Sequence, residues 1–293
     1  MVADGAGRYD YHMSNANPPI GELIRKWRQR RRLSQLDLAR DAEISTKHLS
    51  FLETGRAQPS RDMLLHLMER MVIPLRDRNV MLRSGGFAPS YQERAMEDPE
   101  FRQARRSIDL ILDMHEPNPA LAVDRHWTMV AANKAVANLI AGVDQMLLTP
   151  PVNVIRLSLH PAGLAPRIIN LMEWRRHIIE RLRQRIEMTG DPNLADLVNE
   201  IRDYPRPPGQ TGRLKPMDHE IVAVPLQLAT VHGLLSFHNT TTIFGTPVDI
   251  TLSELTIETF LPADQATVAI MRQLAERPPE QQTSPLERRA ATG

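Results

Sequence analysis

Apolar side chains recur at helical spacing between residues 20 and 87, and this pattern predicts five short helices. On the first helix, Ile20, Leu23, Ile24 and Trp27 share one face. Serines in capping positions and a closing glycine or proline separate the helices from one another. The predicted helices begin at Ile20, Ser34, Ser45, Pro59-Ser60 and Leu75, and the fifth ends at Gly85-Gly86.

The rest of the chain alternates between helical and strand-like patterns. Helices are predicted at about 100–115, 133–142 and 166–188, with a shorter one that opens at Pro192. Strands are predicted at 121–123, 128–131, 220–230, 234–243 and 255–261, the third and fourth forming a hairpin. The Pro/Gly-rich residues 203–217 predict a loop. An all-helical segment followed by a mixed one predicts an α+β fold class.

Changes in composition divide the chain into five parts. A polar start that ends in Pro18-Pro19 predicts a flexible arm, and a polar C-terminus predicts a disordered tail. The predicted parts are the arm at 1–18, a five-helix domain at 19–87, a connector at 88–106, an α/β domain at 107–270 and the tail at 271–293.

Composition excludes several classes of function. The 293 residues contain no cysteine, so disulfides, thiolate metal sites and cysteine nucleophiles are absent. The ten histidines show no metal-ligand spacing, and no nucleophile-elbow or phosphate-loop motif occurs. No apolar run approaches the roughly 20 residues that cross a bilayer. We therefore expect a cytoplasmic protein that has no membrane segment, metal or cofactor and is not an enzyme.

Basic residues are concentrated in one segment of an almost neutral chain. The whole chain carries a net charge of +1, whereas residues 20–60 contain nine Lys or Arg and five acids. A local basic patch of this kind is typical of a module that binds nucleic acid.

Residues 33–56 carry the pattern of a helix-turn-helix. Two packed helices need a small residue where they cross, an apolar anchor in the turn and a cap on the second helix, and Ala39, Ile44 and Ser45 meet these needs in order. Leu49 and Leu52 give the second helix a buried face, which leaves its N-terminal residues for base edges. The pattern predicts binding to double-stranded DNA.

Residues 20–87 resemble the XRE/Cro-like repressors through Leu33-Ser34-Gln35, Leu38-Ala39, Ile44-Ser45, Leu49 and Leu52-Glu53-x-Gly55-Arg56-x-x-Pro59. The resemblance implies a backbone contact from Gln35, base contacts from Thr46 and Lys47, and a structural ion pair between Arg28 and Glu53. Phe51 departs from the polar residue common at its position, and either packs on a thymine methyl or joins the core. The DNA-contacting residues that we expect are Gln35, Ser45, Thr46, Lys47, His48, Ser50, Phe51 and Arg56.

The segment from about 107 to 266 resembles the MmyB-like regulator ligand-binding domain, which has a PAS-like fold. The matching stretches are Pro119–Trp127, Val130–Asn133, Asn153–Leu157, His160-Pro161, Trp174-Arg175, Val224–Leu226, His232-Gly233 and Thr240–Asp249. The resemblance implies an antiparallel sheet that cradles helices around an apolar pocket, and a fatty-acid-like ligand.

A pocket of that kind needs an apolar lining and a polar anchor. A carboxylate ligand favours a charged partner, for which Arg156, His160 and Arg175 are the candidates. The lining residues that we expect are Val123, Leu157, Trp174, Ile178, Leu226, Leu228 and Phe237.

Three functions remain open at this point. The first is a ligand-responsive transcription regulator that binds its operator as a homodimer, since one recognition helix reads only a few bases. The second is a DNA-binding protein whose C-terminal domain only dimerises or recruits a partner. The third is a small-molecule enzyme tethered to DNA, which a pocket with converging acid and base groups would favour.

Overall fold

The computed structural model describes residues 18–205, 224–245 and 247–276. The chain divides into two compact units, residues 1–92 and 93–293. Several predicted features lie outside the described residues: the arm up to residue 17, the loop from 206 to 217, the start of the strand at 220–223 and the tail from 277 onward.

The described residues of the first unit form the five predicted helices. They are α1 Ile20–Arg30, α2 Gln35–Asp41, α3 Thr46–Glu53, α4 Arg61–Arg70 and α5 Leu75–Ser84. Their apolar faces meet in one core, in which Ile24, Leu38, Leu49, Leu64 and Leu82 are fully buried. The spacing of apolar residues thus places each helix correctly, because each helix buries one stripe.

Side-chain caps define where α2, α3 and α4 begin. The hydroxyl groups of Ser34, Ser45 and Ser60 accept hydrogen bonds from the backbone N–H three residues later, at 3.1–3.2 Å. The Asp37 carboxylate also accepts the backbone N–H of Ser34, which completes a capping box. These caps satisfy N–H groups that no residue inside the helix can pair.

The predicted ion pair between Arg28 and Glu53 is confirmed. Arg28 Nε and Nη2 donate to the two carboxylate oxygens of Glu53 at 2.6 and 3.0 Å, and Nη1 donates to the carbonyl of Leu33 at 2.8 Å. The Glu53 side chain is only 2% exposed. The hydrogen bonds to Glu53 raise the pKa of Arg28. The pair joins α1 to the C-terminal end of α3.

The second unit contains a five-stranded antiparallel sheet in the order β2-β1-β5-β4-β3. The strands are β1 Ala120–Val123, β2 Met129–Ala132, β3 Leu226–Thr230, β4 Gly233–Ile243 and β5 Thr256–Pro262. The helices are α6 Arg102–Met114, α7 Ala135–Ile140, α8 Val154–Leu159, α9 Leu171–Thr189, α10 Pro192–Asp203, α11 Ile250–Glu254 and α12 Gln265–Ala275. The arrangement confirms the predicted α+β class.

Helices cover both faces of this sheet. On one face α6 packs through Ile108 and Leu112 against Ala120, Ala122 and Ile257. The other face belongs to the larger core, which includes Leu121 and Val123 of β1 together with α7, α8, α9 and α10. Consecutive residues of β1 therefore serve opposite faces, as the two-residue period of a strand requires.

The long helix begins later than its apolar pattern predicts. Helix α9 starts at Leu171 rather than near Pro166, because the residues before it extend the sheet edge. Ile168 pairs with Leu228 of β3, and the N–H of Ile169 donates to the carbonyl of Gln227 at 2.9 Å. The side chain of Asn170 donates to the carbonyl of Pro225 at 2.8 Å. Tertiary hydrogen bonds override local helical spacing there.

Three helices of the described residues are not predicted from the sequence, and one of them corrects a boundary. Helices α8, α11 and α12 fall in segments that have caps at Asn153, Asp249 and Asp264. Helix α12 runs to Ala275, so residues 271–275 are helical and not part of a disordered tail. Met271 and Leu274 are buried in the core of the second unit, which explains why residues 271–275 form an ordered helix.

The predicted connector is divided between the two units. The carboxamide of Asn79 accepts the backbone N–H groups of Ser90 and Tyr91 at 3.0 and 3.1 Å and donates to the carbonyl of Tyr91, which holds these residues in the first unit. In the second unit Phe101 is buried, and Arg94 donates to Asp249 at 3.0 Å.

None of the described helices combines the length and the apolar composition that a membrane-spanning segment needs.

Candidate functional site

Helices α2 and α3 form the structural base of the candidate DNA interface. Ala39 is 1% exposed, and its small side chain lets the helices approach closely. Leu49 and Leu52 of α3 are fully buried, which fixes the face that α3 turns toward the core. The remaining faces of α3 are accessible, as a recognition helix requires.

The predicted base-contacting residues lie on this accessible side of α3. Thr46 and Lys47 are exposed in its first turn, and His48 and Ser50 are half-buried. Ser45 is the N-cap, and its hydroxyl is committed to the backbone N–H of His48. Thr46 and Lys47 are therefore the best-placed side chains for base edges.

Phe51 lies between two cations at the surface of α3. It is half-buried and is not among the fully buried core side chains. The Lys47 ammonium lies 5.7 Å from its ring centre, and the Arg56 guanidinium lies 5.8 Å from it. Such stacking holds the two cations and the ring together as one patch. This position favours the thymine-methyl alternative for Phe51 over the core alternative.

Gln35 is hydrogen-bonded within the fold, whereas Arg56 is exposed to solvent. Gln35 is half-buried, and its Nε2 donates to Glu53 at 2.8 Å, so it extends the Arg28–Glu53 pair to the start of α2. Arg56 is exposed just beyond α3, where a phosphate can reach it.

The second unit contains a cavity between one face of the sheet and helices α7, α8 and α9, with about 70 Å³ of free space. Most of its wall is apolar. The lining residues are Leu121, Trp127, Val136, Leu139, Ile140, Val154, Ile155, Leu157, Ser158, Leu164, Trp174, Ile178, Arg181, Leu226, Asn239, Glu258 and Phe260.

Four of the predicted lining residues, Leu157, Trp174, Ile178 and Leu226, line this cavity. The other three, Val123, Leu228 and Phe237, are at most 1% exposed and pack in the core instead. Sequence pattern identifies them as buried but does not separate the cavity wall from the filled core.

The three predicted polar anchors do not line the cavity. Arg156 donates to Glu200 at 2.7–3.1 Å on an exposed face, and that hydrogen bond lowers the pKa of Glu200. His160 accepts the backbone N–H of Ala162 and contacts the edge of Tyr204. Arg175 is buried and donates to the carbonyls of Tyr204 and Pro205. All three stabilise the fold near residues 200–205.

Among the described residues, the charged groups that line the cavity are Arg181 and Glu258, neither of which the sequence pattern identifies as a site residue. Arg181 Nη2 donates to Glu258 at 2.8 Å, and the guanidinium lies 4.9 Å from the ring centre of Trp127. The sequence contains a signal for each of these two residues. Arg181 follows Trp174 and Ile178 on the same stripe of α9, and Glu258 is the one charged residue in the strand predicted at 255–261.

His177 lies beside this charged pair. Its ring centre is 5.4 Å from that of Trp174. Burial lowers the pKa of His177, and the nearby charge of Arg181 lowers it further. The imidazole is therefore uncharged at neutral pH. Among the described residues no group of three His, Asp or Glu is arranged to hold a metal ion.

The two units together define a class of protein: a ligand-responsive DNA-binding transcription regulator. Residues 19–72 match the family described as helix-turn-helix domain, and residues 104–274 match the MmyB-like transcription regulator ligand binding domain. The second match covers more than half of the chain, so the protein belongs to the MmyB-like family.

Other comparisons add little. No curated protein matches the chain. One solved structure that it resembles is that of an RNA-binding light-oxygen-voltage receptor, with 14% identity and a TM-score of 0.25. The alignment covers 88% of this chain and 64% of the receptor chain, so this chain spans less than two thirds of that receptor's length.

Proposed function

We propose that this regulator binds its operator as a homodimer and that an elongated, apolar effector, resembling a fatty acid in its hydrocarbon chain, occupies the cavity of the second unit. The single observation that supports the effector is the apolar cavity beside α9. A binding site for a small molecule is mostly apolar with a few polar groups that orient the ligand, and this lining has that composition. The free space of about 70 Å³ is smaller than the roughly 300–1,000 Å³ of typical ligand sites, so the wall has to open as the effector binds.

The test is a titration of operator DNA with delipidated protein. The operator is first selected from random DNA, and affinity is then measured with and without a mixture of medium- to long-chain acids, alcohols and amides. We expect a change of about 5- to 150-fold, the usual range for coupling between two sites. If no chain binds and operator affinity is constant, the second unit is a scaffold for dimerisation or partner recruitment.

Lys47→Ala is expected to weaken binding to the selected operator by about 1–3 kcal/mol, the scale of one good base contact. Its exposed position in the first turn of α3 is the reason. The control is Arg56→Ala, which should weaken binding to all sequences alike and reduce the salt slope by about one unit. Equal losses from Lys47→Ala on operator and random DNA would contradict the base contact.

Helix α6 offers the surface for the proposed dimer. Ile108 and Leu112 face the sheet, whereas Leu110 and Met114 are 63% and 77% exposed one turn apart on the opposite face. We expect Leu110→Asp to convert the dimer into a monomer in light scattering and to reduce the DNase footprint to one half-site. Val231→Asp, at a side chain that is 95% exposed, is the matched control. A wild-type monomer that protects one half-site would contradict the proposal.

A further inference from the structure

The hydrogen-bonding capacity of Arg181 is almost entirely used inside the protein. Nη1 donates to Asn239 at 2.7 Å and to Glu258 at 3.2 Å, while Nη2 donates to Thr241 and to Glu258, each at 2.8 Å. A guanidinium has four Nη–H donors, and all four have an acceptor here. A ligand carboxylate, which binds arginine best through two parallel donors, would have to displace one of these acceptors.

The charge at this end of the cavity is also balanced already. Glu258 is 3% exposed at its side chain and forms a bidentate pair with Arg181. His177 adds no positive charge at neutral pH, because burial and Arg181 lower its pKa. A second carboxylate placed here would meet the charge of Glu258, and among the described lining residues no further cation is left to pair with it, in surroundings where like charges repel strongly.

Uncharged donors remain for a ligand. The Nδ2 of Asn239 reaches the carbonyl of Thr259 only at 3.5 Å, so it keeps hydrogen-bonding capacity. The Ser158 hydroxyl accepts the indole N–H of Trp174 at 3.0 Å, which leaves its own O–H as a donor. Both side chains line the cavity. They suit a hydroxyl or carbonyl oxygen of the ligand.

We infer that the effector is an uncharged amphiphile, a hydrocarbon chain that ends in a hydroxyl, ketone or amide group, and that the cavity rejects the corresponding carboxylate. Asn239 and Ser158 bind the head group. Glu258 excludes anions because its own charge repels them and because it occupies the hydrogen-bond donors of Arg181. The inference rests on the proposed function and specifies the chemical class of its ligand.

The test compares three probes that share one chain: decan-1-ol, decanamide and decanoic acid. Binding to the delipidated full-length protein is measured by calorimetry at neutral pH, where decanoic acid is ionised. We expect the amide and the alcohol to bind at least about tenfold more tightly than the acid.

The variant Glu258→Gln should abolish or reverse this preference, because it removes the negative charge and leaves the charge of Arg181 for the acid. The matched control is Glu200→Gln. It makes the same change in the ion pair with Arg156, which lies outside the cavity lining, and should leave the preference unaltered. If Glu258→Gln does not fold, the wild-type comparison of the three probes still decides the question, and Asn239→Leu tests the head-group contact through a selective loss of amide affinity.

Two negative outcomes are distinguishable. Decanoic acid that binds the wild type as tightly as decanamide would overturn the inference and leave the proposed apolar effector intact. Failure of all three probes to bind, with protein shown to be folded and delipidated, would overturn both.

Discussion

Replacing Arg28 by alanine is expected to lower the free energy of unfolding of the helix-turn-helix unit by about 3–5 kcal/mol. The loss is large because the Glu53 carboxylate is buried and would lose its main partner, keeping only the hydrogen bond from Gln35. The carbonyl of Leu33 would lose a donor as well. Thermal and urea unfolding of the full chain, followed by hydrogen exchange at α3, would measure the effect.

Arg40→Ala provides the matched control for this prediction. Arg40 lies on α2 of the same unit, and its side chain is 72% exposed with acids at 3.6 Å. Removing an exposed pair costs about 0–1 kcal/mol. If Arg28→Ala unfolds at the wild-type denaturant concentration, the pair with Glu53 contributes nothing to stability and the assignment is wrong.

Trp174→Ala is expected to lower the free energy of unfolding of the second unit by about 3–5 kcal/mol. The side chain is 3% exposed, and its indole N–H donates to Ser158. The space it vacates would join a cavity that already exists, so the surrounding side chains have little means of collapsing into it. Because the lost ring is part of the wall that faces the effector, we also expect the effector-dependent change in operator affinity to shrink.

Leu197→Ala separates the loss of stability from the loss of the effector response. Leu197 of α10 is 4% exposed and does not line the cavity, so its truncation should cost about 2–5 kcal/mol and leave the effector response unchanged. Trp174→Phe retains one aromatic ring but loses the five-membered ring with its N–H donor, and should recover part of the stability. A response in Trp174→Ala equal to that of the wild type would place the effector elsewhere.

The helix-turn-helix unit was predictable because its signals are local. The caps at Ser34, Ser45 and Ser60 and the apolar spacing of α1 to α5 act within single helices, and the structure confirms them. Even the long-range pair of Arg28 and Glu53 was accessible, through the resemblance to a family of known fold.

The cavity was predictable only in part, because sequence pattern reports burial and not what lies beyond a buried side chain. Leu157 and Leu228 look alike in the sequence, yet one lines the cavity and the other packs in the filled core. The start of α9 was misplaced for a similar reason, since Ile168 finds its strand partner 60 residues further along the chain, at Leu228.

By itself, the sequence determined the DNA-binding unit of this protein, through short-range capping, helical spacing and the residues of α3 that face away from the core. The tertiary structure alone decided which polar groups meet the cavity. Arg156 and Arg175 donate hydrogen bonds to residues 200–205, and His160 accepts one from Ala162 and contacts the ring of Tyr204, whereas Arg181 reaches Asn239 and Glu258 on strands far along the chain. The physical reason is that a buried charge must find a partner wherever the fold brings one within about 3 Å, and chain spacing does not encode that encounter.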